Sequence, residues 1–414
     1  MAQHPFLKSI RPVNLLSFGP ETQEIELRPL NILIGANGSG KSNLIEILGL
    51  LSKLPDKDPW SNVIQTGGAR EWIWKGKTSE EILPSLSIES AKDRDNSLPF
   101  NNLQNLADLI EPKHTKYSVK LREFENGFTI SNEIFIPSSN NGRNVRLIAD
   151  DSAYVRDGAK IHTLLTGPTE PSPRRSVLSS LGSLPDVASK WPELQKLADT
   201  LEQFAFYRDW TFGHSSETRQ LQPVGLDSYH LASDSANLAQ VLKAMRDRGD
   251  SAVFERLLEL LQSFYAPVKD VDTELVGTHL RIMLKEEGLS SRTPAERLSD
   301  GTLRWLMLLI ILLDPTPPPV ICLDEPELGL HPDAIHVLAD LLVEASERTQ
   351  LIVTTHSSAL VDAFSDAPEA ICVCEKVDGA TQIRRLDKER LAVWLKEYSL
   401  GYLWASGEIG GNRW

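Results

Sequence analysis

Eight consecutive residues carry the sharpest chemical signal in this sequence: Gly35-Ala-Asn-Gly-Ser-Gly-Lys41-Ser42. They fill the pattern G-x-x-x-x-G-K-[ST] completely. They also lie between an apolar run, Leu30-Asn-Ile-Leu-Ile34, and residues at helical spacing, Leu44, Ile45, Ile47, Leu48 and Leu51. Glycines at these positions let a loop curl so that backbone N–H groups point inward at phosphate oxygens, and a following helix adds the positive end of its dipole. Gly35, Asn37, Gly38, Ser39, Gly40, Lys41, Ser42 and Asn43 would form the cradle. Lys41 would neutralise the β/γ oxygens and the Ser42 hydroxyl would ligate Mg²⁺.

A second signal comes some 280 residues later. Val320-Ile-Cys-Leu323 is an unbroken apolar run ending in Asp324-Glu325, as expected of a buried strand that delivers two carboxylates to its C-terminal edge. Asp324 is suited to hold Mg²⁺ through water, and Glu325 to polarise an attacking water. Another apolar strand, Leu351-Ile-Val-Thr-Thr355, ends at His356, which at a third strand end is suited to contact a γ-phosphate. Alone, two adjacent acids are an ordinary solvated turn and one histidine an ordinary surface residue. Their occurrence together with the phosphate loop carries the reading.

These groups need a framework to position them. The first fifty residues read as strands, turn and helix, broken at Asp56-Lys-Asp-Pro-Trp60. From about 115 to 165 the sequence reads as a β-meander, with hairpin signals at Asn126-Gly127, Asn141-Gly142 and Asp157-Gly158. A Pro/Ser-rich loop, Thr166 to Pro185, leads to helical sequence over 186–206 and 235–265 and a strand pair at 268–285. An apolar helix at 303–313, strand 320–323, helix 333–347 and strand 351–355 follow. Apolar runs alternating with helices specify an α/β fold with a parallel sheet covered on both faces. The expected division is 1–55 and 296–414 as two parts of one domain, with 56–295 as an inserted lobe of β-meander and helices.

Composition narrows the function. The chain has 414 residues, 41% of them hydrophobic and 24% charged, which excludes global disorder. A net charge of −14 excludes nucleic-acid binding through the overall field and leaves only local patches. The candidates are Arg384-Arg385 with Lys388 and Arg390, Arg246 with Arg248, and Arg174-Arg175. Three cysteines, Cys322, Cys372 and Cys374, make no disulfide framework, so a reducing cytoplasm is expected. Cys372-Val-Cys374 lacks a second Cys/His pair at zinc-ligand spacing. The run Trp305–Leu313 is about half of the ~20 residues a membrane helix needs. Trp404 and Trp414 in the last segment are costly to leave in water, which calls for either a fold-back or a docked partner.

Taken together, the loop at 35–42, Leu298-Ser-Asp-Gly-Thr302, the strand ending Asp324-Glu325-Pro326, Glu327-Leu-Gly-Leu-His-Pro332 and Thr354-Thr-His356-Ser resemble an ABC-type ATPase head. The nearest flavour is the RecF/SMC/OLD-like group of prokaryotic AAA-family ATPases, in which Asn237-Leu-Ala also has a counterpart. The resemblance implies a P-loop head assembled from both chain ends, ATP and Mg²⁺ as cofactors, and Glu325, His356 and Lys41 as catalytic residues. It further implies a head-to-tail homodimer around two ATP molecules, a higher oligomer being left open. Ser299 and Gly301 of one protomer would touch the γ-phosphate held by Lys41 of the other. Asp300 stands where transporters have glycine and Thr302 where they have glutamine, which points to the defence and repair branch. Gln65 is a candidate Q-loop residue and equally a plain surface residue.

In that branch the expected role is a sensor or switch in phage defence or DNA repair. OLD-like relatives append a TOPRIM nuclease, for which the 58 residues after His356 are too few, so the effector is expected on a separate chain. A self-contained DNA-binding repair ATPase and an ATP-locked scaffold with little turnover remain as alternatives. A transporter subunit fits poorly with 255 residues between Ser42 and Leu298.

Overall fold

The computed structural model describes residues 6–77, 82–91, 114–137, 145–148, 154–157, 160–163, 175–183, 189, 192–208, 210–211, 213–248 and 251–411. At its centre six strands lie in the order β10 (Ala205–Tyr207), β15 (Val320–Asp324), β16 (Gln350–Thr354), β3 (Leu30–Ile34), β17 (Ile371–Val377) and β18 (Ala380–Arg385). The first five are parallel, and β18 closes the edge as an antiparallel hairpin partner of β17. Alternate side chains feed two cores. Ile32, Ile34, Ile321, Leu323, Leu351 and Val353 enter one, Leu33, Val320, Cys322 and Ile352 the other. This two-sided burial is why these strands read as continuous apolar runs.

Helices α6 (Asp300–Leu312) and α7 (Asp333–Ser346) cover the first face, and α1 (Lys41–Lys53) and α3 (Pro192–Glu202) the second. Every residue of α6 from Thr302 to Leu312 is buried, so its run of leucine and isoleucine is core. Among the described residues no helix is long and apolar enough to cross a membrane.

A second, antiparallel sheet has the order β2 (Ile25–Glu26), β1 (Leu7–Val13), β4 (Ser85–Ala91), β5 (His114–Phe124), β6 (Gly127–Ile136), β7 (Val145–Ile148). The β5–β6 turn falls at Glu125-Asn126, with Glu125 at φ 53°, beside the expected Asn-Gly signal. Strands β8 (Tyr154–Asp157) and β9 (Lys160–Thr163) pair with Asp157 opposite Lys160. Asn141-Gly142 and Gly158 lie outside the described residues. A smaller sheet holds β11 (Gln222–Pro223), β13 (His279–Glu286), β12 (Val268–Val276) and β14 (Thr293–Pro294). It packs with α4 (Leu238–Asp247) and α5 (Ser251–Phe264).

Two expectations are corrected. The helix expected over 186–206 ends at Glu202, and Ala205–Tyr207 becomes β10, because Phe206 and Tyr207 suit a strand beside β15 better than a solvated helix end. Part of the expected 166–185 loop, Val177–Ser183, is a 3₁₀ helix. The hydrogen bonding also crosses both expected domain boundaries, since β1 pairs with β4 and β10 with β15.

The 3₁₀ helix is tied down by Glu133, a fully buried acid on β6. Glu133 Oε1 accepts from Tyr117 Oη at 2.7 Å and from Ser176 Oγ at 2.6 Å, and Oε2 accepts from the Val177 amide at 3.0 Å. Burial nevertheless pushes its pKa above the usual carboxylate range. A raised folded pKa contributes stability below the unfolded value that is lost as pH rises through the folded value. Glu133→Gln cannot ionise and loses one acceptor. It should therefore be less stable than wild type at acid pH, with the gap in urea midpoints narrowing as pH rises through the raised carboxyl pKa. A gap that stays constant contradicts this account of Glu133.

Candidate nucleotide site

The turn from β3 into α1 is shaped by what surrounds it. A Cβ at Gly35 would lie 2.4 Å from the Cys374 carbonyl oxygen on β17, so only glycine fits there. Gly40 has φ +101°, and a Cβ on it would lie 2.1 Å from Thr381 Oγ1. That hydroxyl sits 2.8 Å from Ser39 O and 2.7 Å from Ser17 Oγ, pinning the loop to β18 from behind. Asn37 and Gly38 form the exposed crest. Lys41 is 6% exposed, and its Nζ donates to Gly35 O at 2.7 Å and Ala36 O at 3.2 Å. Ser42 and Asn43 complete the first turn of α1, which no side chain caps, so its first amides are available to an anion. Ser39 Oγ is buried and, among the described residues, has no hydrogen-bond partner, as expected of a loop built to close on an acceptor-rich group.

Three strand ends meet at this loop. Leu33, Thr354 and Asp324 lie level across β3, β16 and β15. The Thr354 hydroxyl donates to the Asp324 carboxylate, and the Glu325 amide donates to Thr354 O at 3.1 Å. Glu325 has φ +47°, an uncommon conformation for a side chain of its size. Its Oε1 lies 3.6 Å from His356 Nε2. Burial lowers the His356 pKa, Lys41 lowers it further, and the two acids oppose this, so the imidazole is neutral at pH 7. Burial likewise lowers Lys41, against the pull of Cys374, Glu325 and Asp324. Lys41, Asp324, Glu325 and His356 therefore form one electrostatic cluster, as the sequence led us to expect.

Among the described residues no group of three or more His, Cys, Asp and Glu converges on a metal. A magnesium ion shared between a hydroxyl, one carboxylate, phosphate and water does not require one, and Ser42 and Asp324 carry donor atoms of those two types.

Ser299 and Gly301 stand apart. Among the described residues no hydrogen bond or ion pair joins either to the cluster. Ser299 caps α6, accepting from the Thr302 amide at 3.1 Å, and a Cβ on Gly301 would lie 3.0 Å from Gly329 O. The intervening Asp300 has a structural reason for its identity. Its Oδ1 accepts from Arg219 Nη2 at 2.5 Å and from the Gly213 amide at 3.2 Å, and the Arg219 bond holds its carboxyl below the usual range. Arg219 is buried, and its Nη1 also donates to Ala295 O, Glu296 O and Leu298 O.

Three further residues were not singled out from the sequence, and a fourth, Glu327, was named there only as the start of the run 327–332, with no role of its own. Arg304, on α6, donates from Nη2 to Glu325 O at 2.6 Å and from Nε to Pro326 O at 3.2 Å. Burial lowers its guanidinium to about 10, which leaves it charged at neutral pH. Trp210 stacks on Arg304 at 4.8 Å and donates from Nε1 to Asp324 O at 2.9 Å. Arg208 reaches Glu46 of α1 at 3.0 Å. Glu327 is 7% exposed, and its Oε1 accepts from Thr355 Oγ1 at 2.5 Å and the His356 amide at 3.1 Å, while burial raises its pKa. The repeated acid in Asp324-Glu325-Pro-Glu327 was the available signal for Glu327. The arginines had none, because a buried arginine looks like a surface one in sequence.

Other candidates are structural. Arg384 donates to Ile409 O, Arg385 to Glu369 O, Glu26 O and Asn31 Oδ1, and Lys388 to Asp366 O, so the best basic cluster is engaged with the fold itself. Arg246 binds Asp270 and Val271 O, and Arg248 binds Ser228 O. Arg174 lies outside the described residues. Gln65 is exposed at the end of α2 (Ser61–Gln65). Cys322, Cys372 and Cys374 are buried, and burial pushes their thiols up. Trp404 is buried by a fold-back of the C-terminal segment, and Trp414 lies outside the described residues.

A phosphate loop, an acid pair and a histidine on adjacent parallel strand ends, with a capped signature segment held apart, define an ABC-type AAA ATPase head. The family model described as "AAA domain, putative AbiEii toxin, Type IV TA system" matches residues 30–362, and the chain belongs to that family. Among solved structures, an SMC head bound to the C-winged helix domain of ScpA is similar over 94% of this chain and 100% of that one, at 16% identity and a TM-score of 0.56. A second SMC head with an extended coiled coil, bound to the C-terminal domain of ScpA derived from Pyrococcus furiosus, covers 95% and 99% at 15% identity and a TM-score of 0.50. These likenesses establish the fold. The Old nuclease of Escherichia phage P2 is 40% identical over 81 residues, which are 19% of this chain and 14% of that protein.

The Arg219 network yields a stability prediction. Arg219→Ala removes a buried donor shared by three carbonyls and a carboxylate, of which Ala295 O and Asp300 keep one backbone amide each, and should cost about 3 kcal/mol in unfolding free energy. Asp300→Asn keeps an oxygen acceptor on a half-exposed side chain and should cost under ~1 kcal/mol. Equal losses in chemical denaturation would contradict the assignment of Arg219 as the anchor.

Proposed function

We propose that this protein hydrolyses ATP with Mg²⁺ and uses the cycle to close and open a homodimer. The observation that carries this is the convergence of Lys41, Asp324, Glu325 and His356 at one sheet edge, with Ser299 and Gly301 outside it. A signature segment that, among the described residues, makes no hydrogen bond or ion pair to its own chain's cluster is suited to complete a second chain's site. Lys41 binds the β/γ oxygens, and Gly35, Asn37, Gly38, Ser39, Gly40 and Asn43 line the cradle. Magnesium held by Ser42 and Asp324 would neutralise charge on the phosphates. Glu325 takes the proton of the attacking water, and its backbone is steadied by Arg304. Neutral His356 donates to the γ-phosphate while Glu327 holds its amide.

The family description and the short stretch shared with the Old nuclease support a role in a prokaryotic phage-defence system in the cytoplasm, with the head acting as a switch for an effector on a separate chain. A self-contained DNA-binding role is less favoured, because Arg384, Arg385 and Lys388 already bind carbonyls of the fold.

Lys41→Ala should abolish ATP binding measured by calorimetry. Glu325→Gln should bind ATP with wild-type affinity and turn over roughly 10²–10⁴-fold more slowly, the usual range for losing a general base. Wild-type turnover in Glu325→Gln removes that residue from its role. Because the His356 pKa lies below its ordinary value, turnover should be flat through neutrality and fall only on the acid side of the ordinary histidine range. A midpoint at or above about pH 7 in the pH–rate profile contradicts a neutral, donating His356.

A further inference from the structure

The C-terminal segment touches the nucleotide site from two sides, although none of its residues belongs to the motifs above. Helix α9 (Leu400–Ala405) buries Leu400, Leu403 and Trp404. Its Gly401 is pressed onto α8 (Ser358–Asp362), the short helix that begins two residues after His356. The Gly401 amide donates to Asp362 Oδ1, and a Cβ on Gly401 would lie 2.3 Å from Ser358 O. Beyond α9 the chain turns back toward β17. Ile409 is buried, and its carbonyl accepts from Arg384 Nη2 at 3.0 Å. The Gly411 amide donates to Glu375 Oε1 at 2.9 Å.

Gly411 is the critical contact. It has φ +73°, and a Cβ built on it would lie 2.8 Å from Val373 Cγ1 and 3.4 Å from Gly35 Cα. Gly35 is the first residue of the phosphate loop, and its other neighbour is the Cys374 carbonyl one residue before Glu375. The loop entrance is thus held between β17 on one side and the returning tail on the other. Glu375 itself is not among the charges that act on Lys41, which are Cys374, Glu325 and Asp324.

We propose that residues 399–411 form a strap that positions the phosphate loop, with Gly411 as its contact and Glu375 as its anchor. The strap makes no contact of its own with nucleotide. It fixes the backbone from which the loop amides are aimed, and so it sets nucleotide affinity more than the rate of the chemical step. By linkage, nucleotide must in turn hold the strap in place by the same factor. The first consequence concerns the protein without nucleotide and is independent of the ATPase reading. The second rests on that reading.

Hydrogen exchange followed by mass spectrometry on the full chain separates the two. Without nucleotide, Gly411→Val and Glu375→Ala should each speed exchange of amides 36–44 by about tenfold, corresponding to a loss of protection of roughly 1.4 kcal/mol. Glu375→Gln, which keeps the acceptor oxygen, should stay close to wild type. The β5–β6 peptides should not change in any variant. With Mg-ATP, wild type should show slowed exchange at 408–411. Gly411→Val and Glu375→Ala should raise the Kd and KM for ATP about tenfold with kcat within about twofold, and Glu375→Gln should not. Unchanged exchange at 36–44 in Glu375→Ala overturns the strap, even if Gly411→Val fails to fold. Changed exchange at 36–44 with no binding of ATP to wild type would leave the strap standing and remove the ATPase reading.

Discussion

The hydroxyl of Thr354 bonded to the carboxylate of Asp324 holds together parts of the chain that are far apart in sequence. The phosphate loop comes from the first tenth of the chain and the acid pair from its last quarter, so chemistry between them requires their strands to stay level. Strand β16 lies between β3 and β15, and Thr354 is in register with a residue of each. Asn31 adds a second tie from inside the sheet, donating from Nδ2 to Leu351 O at 3.0 Å. A slip of one residue in either pairing would turn Asp324 to the opposite face and break the cluster.

From that levelled edge, Arg208, Trp210, Gly213 and Arg219 tie Asp324 to α1 and to α6. Arg208 reaches the helix that follows the phosphate loop, Trp210 covers Arg304 and binds the Asp324 carbonyl, and Gly213 and Arg219 hold Asp300 beside the signature segment. Arg304 then links α6 back to the carbonyl of Glu325. The signature helix is thus joined to the Glu325 backbone by a single side chain. Asp300 is accounted for in the same terms. A glycine there leaves Arg219 with buried carbonyls alone, whereas the aspartate supplies the opposite charge.

Much of this was legible in the sequence, for physical reasons. The phosphate loop, the acid pair and His356 obey backbone and sheet-edge constraints that leave periodic traces, and the structure brings them together. Helix α6 was legible because an all-apolar run too short for a membrane must be core. What stayed hidden was whatever depends on contacts between distant segments. Strand β10 is three residues long and is stabilised by its neighbour rather than by its own pattern. The hairpin of β17 and β18 did carry a signal in Asp378-Gly379, both at positive φ, which the sequence reading passed over. The arginines looked like a basic surface patch, yet most of them bind backbone carbonyls, a use that residue type alone does not reveal.

The account stands or falls on the signature segment of one chain completing the phosphate site of another. The direct measurement is ATP turnover by an equimolar mixture of Lys41→Ala and Ser299→Arg proteins, each inactive alone. In a head-to-tail dimer half of the assemblies are mixed, and each mixed dimer keeps one intact composite site. The mixture should therefore recover about a quarter of wild-type turnover. Activity of Ser299→Arg by itself, or a mixture as inactive as its components, would contradict the shared site.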